Sequence, residues 1–354
     1  MLEFIKETQN VWDMLKEKNL PIVMYGMGDG ALKIINVLER YGLKVSEFFA
    51  SDEFVRGHSF MGYKVRKLSE IEEMYDDFII VMAFAIHDIP MTNRIHEIAK
   101  KHILVAPDVP VAGDNLFTLD FVDKNKEKLQ WVYENLEDEQ SKKVFSDIVN
   151  FKISGKISYL TSCETEIEES YKNILKLNQN EVYADLGAYH GETIDEFLQY
   201  TGGKYERIIA FEPDVKNFKK LKTNIQNKNI NADLFNMAIF DKEDKLYFSG
   251  KAGRNSALSK NGDREVLAQS LDNIAKGNKV SFVNIDVEGY ERQALLGMKN
   301  TIEKYKTRIL VAIYHRSEDI FEIPILAKKL NPDYKLYMRH FRYIPAWDTN
   351  LYCI

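Results

Sequence analysis

Two stretches of the chain repeat one alternation of apolar and polar positions: an apolar strand, a glycine turn, an amphipathic helix and a second strand ending in an acid. The first runs Pro21-Ile-Val-Met-Tyr-Gly26-Met-Gly28-Asp-Gly30-Ala31, continues as a helix to Tyr41, and resumes as a strand from Lys44 to Phe49 near Asp52. The second begins Val182-Tyr-Ala-Asp185-Leu-Gly187-Ala-Tyr-His190-Gly191-Glu-Thr193, continues as a helix to about Tyr200, and resumes from Arg207 to Phe211 before Glu212-Pro213. Parallel strands need a long crossover, which a helix of this length supplies, so the pattern predicts an α/β protein with two doubly wound Rossmann-like domains. A charge-rich stretch from Asp120 to Asn150 lies between them. Its apolar residues fall at helical spacing (Leu129, Val132, Tyr133 and Leu136, then Val144, Phe145, Ile148 and Val149), with a break at 137–139. The expected division is a Rossmann-like domain over 1–115, a helical connector over 116–165 and a second domain over 166–354.

Composition narrows the function classes. At 354 residues the chain exceeds what one core usually serves, in keeping with two domains. It carries 48 Lys+Arg against 54 Asp+Glu without a long basic block, which argues against sequence-independent nucleic-acid binding. Two cysteines, Cys163 and Cys353, cannot build a disulfide framework. The start of the chain is amphipathic and acidic rather than signal-like, and no apolar run approaches the ~20 residues of a spanning helix. The expectation is a cytoplasmic protein.

The first turn, Gly26-x-Gly28-x-x-Ala31, has the context of a dinucleotide site, with Asp52 where an acid could bond a ribose hydroxyl. Glycines that only shape a strand-to-helix turn explain it equally well. Gly57-x-x-x-x-Gly62 and Val65 add a loose resemblance, over residues 20 to about 106, to small nucleotide-binding domains attached to sugar-modifying enzymes.

At the second turn more features agree. Gly187 lets the chain pass close to a ligand, and the helix start behind Gly191 and Thr193 offers free N–H groups to a carboxylate. Asp185 suits an ammonium group, His190 lies within the turn, and Glu212, followed by Pro213, suits a ribose diol. Carboxylate, ammonium and ribose together describe S-adenosylmethionine. The buried strand Val280–Ile285 then ends in Asp286-Val-Glu288-Gly-Tyr-Glu291, an acid cluster at the edge where such sheets bind ligands.

These motifs stand in order. Asp185-Leu-Gly-Ala-Tyr-His-Gly-Glu-Thr193, Ala210-Phe-Glu-Pro-Asp214, Leu271-Asp272, Ile285-Asp-Val-Glu-Gly-Tyr-Glu291, Ile313-Tyr-His315-Arg316 and Tyr337-Met-Arg339-His340-Phe341 together resemble the FkbM family of S-adenosylmethionine-dependent methyltransferases, over about residues 138–354. The resemblance implies a class I methyltransferase sheet with an antiparallel last strand, and O-methylation of a hydroxyl, often on a sugar or polyketide. Family members commonly carry Lys where this chain has Asn284, a departure that bears on acceptor choice more than on cofactor binding.

Methyl transfer to a hydroxyl is an in-line displacement assisted by a base. His315 follows an apolar strand and titrates near neutrality, which makes it the preferred base, with Asp286 orienting it or accepting the proton itself. Glu288, Arg316, Arg339 and His340 are the candidate acceptor contacts, and Tyr337, Tyr343 and Trp347 could stack on a sugar face. Asp286, Glu288 and His315 could also hold a divalent ion, but no tight ligand spacing announces one and no metal is expected. The partners expected are a saccharide or small-molecule acceptor, nucleotide- or lipid-linked, and a second copy of the chain. The rival readings are an NAD-dependent oxidoreductase acting through the first glycine turn and a non-catalytic binding protein on a methyltransferase fold.

Overall fold

The computed structural model describes residues 2–51, 55, 57, 59–249, 257–259 and 264–354. The N-terminal sheet consists of β1 (Ile22–Tyr25), β2 (Val45–Phe49), β3 (Ser59–Phe60), β4 (Tyr63–Arg66), β5 (Ile79–Met82) and β6 (Ile103–Val105), in the order β3-β4-β2-β1-β5-β6. All its pairs are parallel except β3 with β4. Every residue of β1 and β5 is buried, as continuous apolar runs in a sheet covered on both faces require.

The C-terminal half contains β7 (Val182–Leu186), β8 (Arg207–Phe211), β9 (Asp233–Phe235), β10 (Ala238–Ile239), β11 (Asp244–Ser249), β12 (Ala257–Ser259), β13 (Arg264–Gln269), β14 (Phe282–Ile285), β15 (Arg308–Ala312), β16 (Leu336–His340) and β17 (Thr349–Cys353). Seven of these form one sheet, ordered β16-β17-β15-β14-β7-β8-β9. Its pairs are parallel except those of β17, which runs antiparallel to both β15 and β16. This is the class I methyltransferase order with its antiparallel strand. A small sheet, β10-β13-β11-β12, was not anticipated. It is inserted between β9 and β14, in a polar stretch whose short alternations carry little signal alone.

Between the two large sheets runs the helix Glu139–Ser154. Asp138 caps it by accepting from Ser141 N at 2.7 Å, and Gly155 in the left-handed region ends it, so the break expected at 137–139 is a helix start. The connector pattern understated this helix. Nearly its whole circumference from Val144 onward is buried, and Phe145, Ile148 and Val149 join an apolar core that includes Val23 and Ile80 on one side and Val283 and Ile309 on the other. Burying each such side chain is worth ~1.5–3 kcal/mol, enough to tie the two sheets together. A buried ion pair, Lys152 Nζ to Asp108 Oδ2 at 2.9 Å, reinforces the junction.

The carboxyl edges of the two sheets face each other. In the loop after β5, Ile86 exchanges backbone hydrogen bonds of 2.8 and 2.9 Å with Ile344, in the connector between β16 and β17. In the segment after β6, Ala112 N donates to His315 O at 2.9 Å, and Lys33 Nζ donates to Val111 O at 3.1 Å. No helix among the described residues is long and apolar enough to cross a membrane.

Candidate active site

A cavity of about 410 Å³ lies along the carboxyl edges of β7, β8, β14 and β15, and both sheets contribute to its rim. Its floor begins at Gly187. A Cβ there would meet the carbonyl oxygen of Asp286 at 1.9 Å, and φ of +101° is already closed to most side chains, so the crossing of β7's turn over the end of β14 requires glycine. The Gly187 and Ala188 N–H groups both donate to Phe211 O, which fixes the turn against β8.

Glu212 closes β8 and is almost fully buried. Oε2 accepts from Tyr189 N at 3.0 Å and Oε1 from Asp214 N at 2.8 Å, so each oxygen is aimed and retains a lone pair for a ligand. Burial pushes its carboxyl up to about 7, although these backbone hydrogen bonds pull it down. Met237 and Ile239 supply an apolar surface beyond it, while Tyr189 and Asn217 flank it.

Asp185, expected to meet an ammonium group, lies beneath the turn instead. It is fully buried, accepts from Thr193 Oγ1 at 2.5 Å and Asn284 Nδ2 at 3.1 Å, and is pushed up to about 6 by burial. Thr193 and Asn284 are thereby both committed to Asp185. His190 packs on Tyr189 with ring centroids 3.7 Å apart and points Nε2 to Asn217 Oδ1 at 3.3 Å. Gly191 backs onto Leu221. Of the expected cofactor residues, Gly187, Glu212, Pro213 and Asp286 line the cavity, and Asp185, His190, Gly191 and Thr193 support it from behind.

Farther along, Asp286, Glu288 and His315 line the same space. His315 is 1% exposed. Its Nδ1 stands 2.9 Å from Glu291 Oε1, an ion-pair distance whose alignment falls short of a hydrogen bond, and its Nε2 stands 3.4 Å from Asp286 Oδ1 and 3.5 Å from Glu288 Oε2. Burial alone would lower its pKa, but these carboxylates, Glu291 foremost, raise it to about 10. His315 therefore holds its proton at neutral pH and is a poor base, a departure from the expected role. Glu291 is held below the usual carboxylate range: burial opposes this, and His315 with the backbone N–H groups of Val287 and Gly289 overcomes it. Burial pushes Glu288 up to about 7 against the pull of His315. Tyr314 donates its hydroxyl to Asp286 Oδ2 at 3.1 Å.

The three basic candidates for acceptor binding are engaged elsewhere. Arg339 is buried with Asp138 at 2.8 Å and Glu169 at 2.9 Å, fastening β16 to the helix Glu139–Ser154. His340 is buried against Thr349 Oγ1 at 3.0 Å, and burial lowers it to about 3. Arg316 donates to Gly289 O at 2.8 Å, bracing the acid turn. Edge-strand alternation gave no way to tell these inward positions from cavity-facing ones. Tyr343 and Trp347 do line the cavity, and His87, from the opposite sheet, stacks on Tyr343 at 5.4 Å; Tyr337 does not line it. Asp348 and Val111 line it too and went unforeseen, since neither lies in a motif.

At the first glycine turn, Gly26 faces the Phe84 ring and Gly30 faces the Ala83 carbonyl, where a Cβ would approach to 2.7 and 2.5 Å. Gly28 has nothing within 4 Å of a Cβ. Asp52 lies outside the described residues.

Residues 185–345 match the model of the methyltransferase FkbM domain. No curated protein matches the chain. Among solved structures, the methyltransferase FkbM from Methylobacillus flagellatus KT superposes with a TM-score of 0.77 at 18% identity, over 99% of this chain and 95% of that one. Partial likenesses extend to an rRNA methylase from Streptococcus thermophilus (TM-score 0.34, 12% identity, 54% of this chain and 96% of that one). Fibrillarin from Aeropyrum pernix, in complex with S-adenosyl-L-methionine, is another (0.33, 15%, 52% and 71%). Residues 185–345 of this chain are thus a methyltransferase FkbM domain, on a two-sheet architecture shared with the Methylobacillus protein.

Proposed function

We propose that the chain is an S-adenosylmethionine-dependent O-methyltransferase acting on a hydroxyl of a saccharide or glycan precursor. The observation that carries this reading is Glu212, a buried carboxylate at the end of β8 with both oxygens pre-aimed into the cavity by backbone donors. Such a group suits a vicinal diol. The adenine would lie along Met237 and Ile239, and the amino-acid end over the turn at Gly187. Electrostatics favours the same ligand: Glu212, Asp286, Glu288 and Asp348 make the cavity acidic, and a sulfonium with an ammonium group is cationic.

The acceptor would enter beside Asp286 and Glu288, against the aromatic faces of Tyr343 and Trp347, which suit the apolar face of a sugar ring. Transfer forms the oxygen–methyl bond as the methyl–sulfur bond breaks, and the hydroxyl proton passes to Asp286. The His315 imidazolium, held by Glu291, steadies the two carboxylates on either side of that path. Orientation of oxygen, methyl and sulfur in one line supplies several kcal/mol of the barrier.

Calorimetry with S-adenosylhomocysteine tests the cofactor: wild-type protein is expected to bind it, and Glu212→Ala to bind it far more weakly with the fold intact. Binding unchanged in that variant would remove the assignment. Mass spectrometry of cellular glycans with and without the protein, read for a 14-dalton difference, tests the acceptor class.

A further inference from the structure

The connector between β16 and β17 builds one wall of the cavity, and its chemistry narrows the acceptor. Tyr343 and Trp347 line the space with ring centroids 6.1 Å apart and planes inclined at 36°. The N-terminal half fixes this wall: Ile86 clasps Ile344 through two backbone hydrogen bonds, and His87 stacks on Tyr343 at an interplanar angle of 19°. Aromatic faces held in this way offer a flat apolar surface to a ligand ring.

Asp348 follows Trp347 directly and lines the same space. Its φ of +64° lies in the left-handed region, which aspartate and asparagine tolerate better than most side chains. Two contacts hold it there: Phe341 N donates to its carbonyl oxygen at 3.2 Å, and Asn350 Nδ2 donates to its Oδ1 at 2.8 Å. Burial pushes its carboxyl up to about 6 against the pull of Asn350, so it is ionised at neutral pH. Asp286 lies within electrostatic reach of it, on the same space.

The cations of this region are engaged elsewhere. Arg316 donates to Gly289 O, Arg339 pairs with Asp138 and Glu169, and Arg342 meets Glu164 at 2.6 Å. Among the described residues, no lysine or arginine lines the cavity, and the protonated His315 is enclosed by Asp286, Glu288 and Glu291. A carboxylate or phosphate on the acceptor ring would face Asp348 and Asp286 without a counter-charge, a juxtaposition that works as a filter against such ligands. Hydroxyl and ammonium groups would instead donate to these carboxylates.

We propose that Asp348 is the specificity-determining residue of acceptor binding: it takes hydroxyl or ammonium donors from a sugar ring lying on Trp347 and Tyr343, and it excludes rings that carry a negative charge. The inference rests on the saccharide reading above and narrows it to neutral and amino sugars. The phosphates of a nucleotide or lipid carrier then remain outside the cavity.

For the test, the full chain is incubated with S-adenosylmethionine tritiated on its methyl group and the saccharides of cells without the protein. The labelled product is hydrolysed in acid and its sugar identified by mass spectrometry. Label on a neutral or amino sugar is the expected result, and label on a uronic or other acidic sugar overturns the proposal. On the isolated acceptor, Asp348→Asn removes the charge while suiting the same backbone turn. It should raise KM about 10- to 100-fold, the worth of a charged hydrogen bond, with a smaller change in kcat and S-adenosylhomocysteine affinity intact. An unchanged KM overturns the assignment of Asp348 while methyl transfer to the saccharide stands. Absence of any labelled saccharide from a chain that binds S-adenosylhomocysteine removes the saccharide reading and this subsite with it.

Discussion

The two glycine turns of this chain are built alike and furnished differently. At both, a glycine is demanded by close approach of another strand's end: Gly30 by the Ala83 carbonyl and Gly187 by the Asp286 carbonyl. What differs is the chemistry at the neighbouring strand ends. Among the described residues, Ala83 and the Phe84 ring stand around the first turn; around the second stand Glu212, Asp286 and Glu288. A glycine pattern thus reports how tightly a strand, a turn and a helix pack. The side chains at adjacent strand ends report whether a ligand belongs there.

Substitutions can break or sharpen that contrast. The largest effect is expected from Gly187→Val, which drives a side chain into backbone at a positive φ; it should cost about 3 kcal/mol or more in thermal unfolding and abolish cofactor binding. Next is Arg339→Leu, which removes a buried guanidinium from the half-buried Asp138 and Glu169; denaturant unfolding should show a loss of about 2 kcal/mol, with S-adenosylhomocysteine affinity retained in the folded protein. If that variant instead lost only ligand affinity, Arg339 would belong to the cavity after all. Glu212→Ala should weaken S-adenosylhomocysteine binding roughly 100-fold, the worth of a charged hydrogen-bonding pair, with little change in stability.

A pH series follows from the same residue. Burial raises the Glu212 carboxyl to about 7, so the carboxylate proposed to hold the diol is fully ionised only above that pH. Affinity should therefore be level above about pH 7.5 and fall as pH drops below 7, by up to about tenfold per unit. The apo protein should respond with the opposite sign: ionising this buried acid costs stability as pH rises from 4.5 through 7. The smallest effect is expected at Gly28→Ala, about 1 kcal/mol from its positive φ, with cofactor affinity unaltered in calorimetry.

Much of this was legible in the residues. Strand, turn and helix emerged from apolar runs punctuated by Gly26, Gly187 and Gly191, and the break at 137–139 fell where the helix Glu139–Ser154 begins. Glu212, Asp286 and Glu288 were legible because acids at the ends of buried strands have little reason to be there otherwise. Asp185, Arg339 and His340 misled, since whether a strand-end polar side chain faces the cavity or the interior is decided by partners distant in sequence: Asn284, Glu169 and Thr349. The protonation of His315 was hidden for the same reason, because it depends on Glu291 arriving from another segment. Val111 and Asp348 carry no local signal at all.

The backbone exchange between Ile86 and Ile344, with the hold of Ala112 on His315, has an evolutionary reading. The C-terminal sheet provides the floor of the cavity, while the N-terminal half, packed on the same core, grips two pieces of its mouth. Drift in that neighbour's loops would reshape the entrance without disturbing the catalytic floor, so diversification of acceptors in such enzymes should be written at the seam between the two halves.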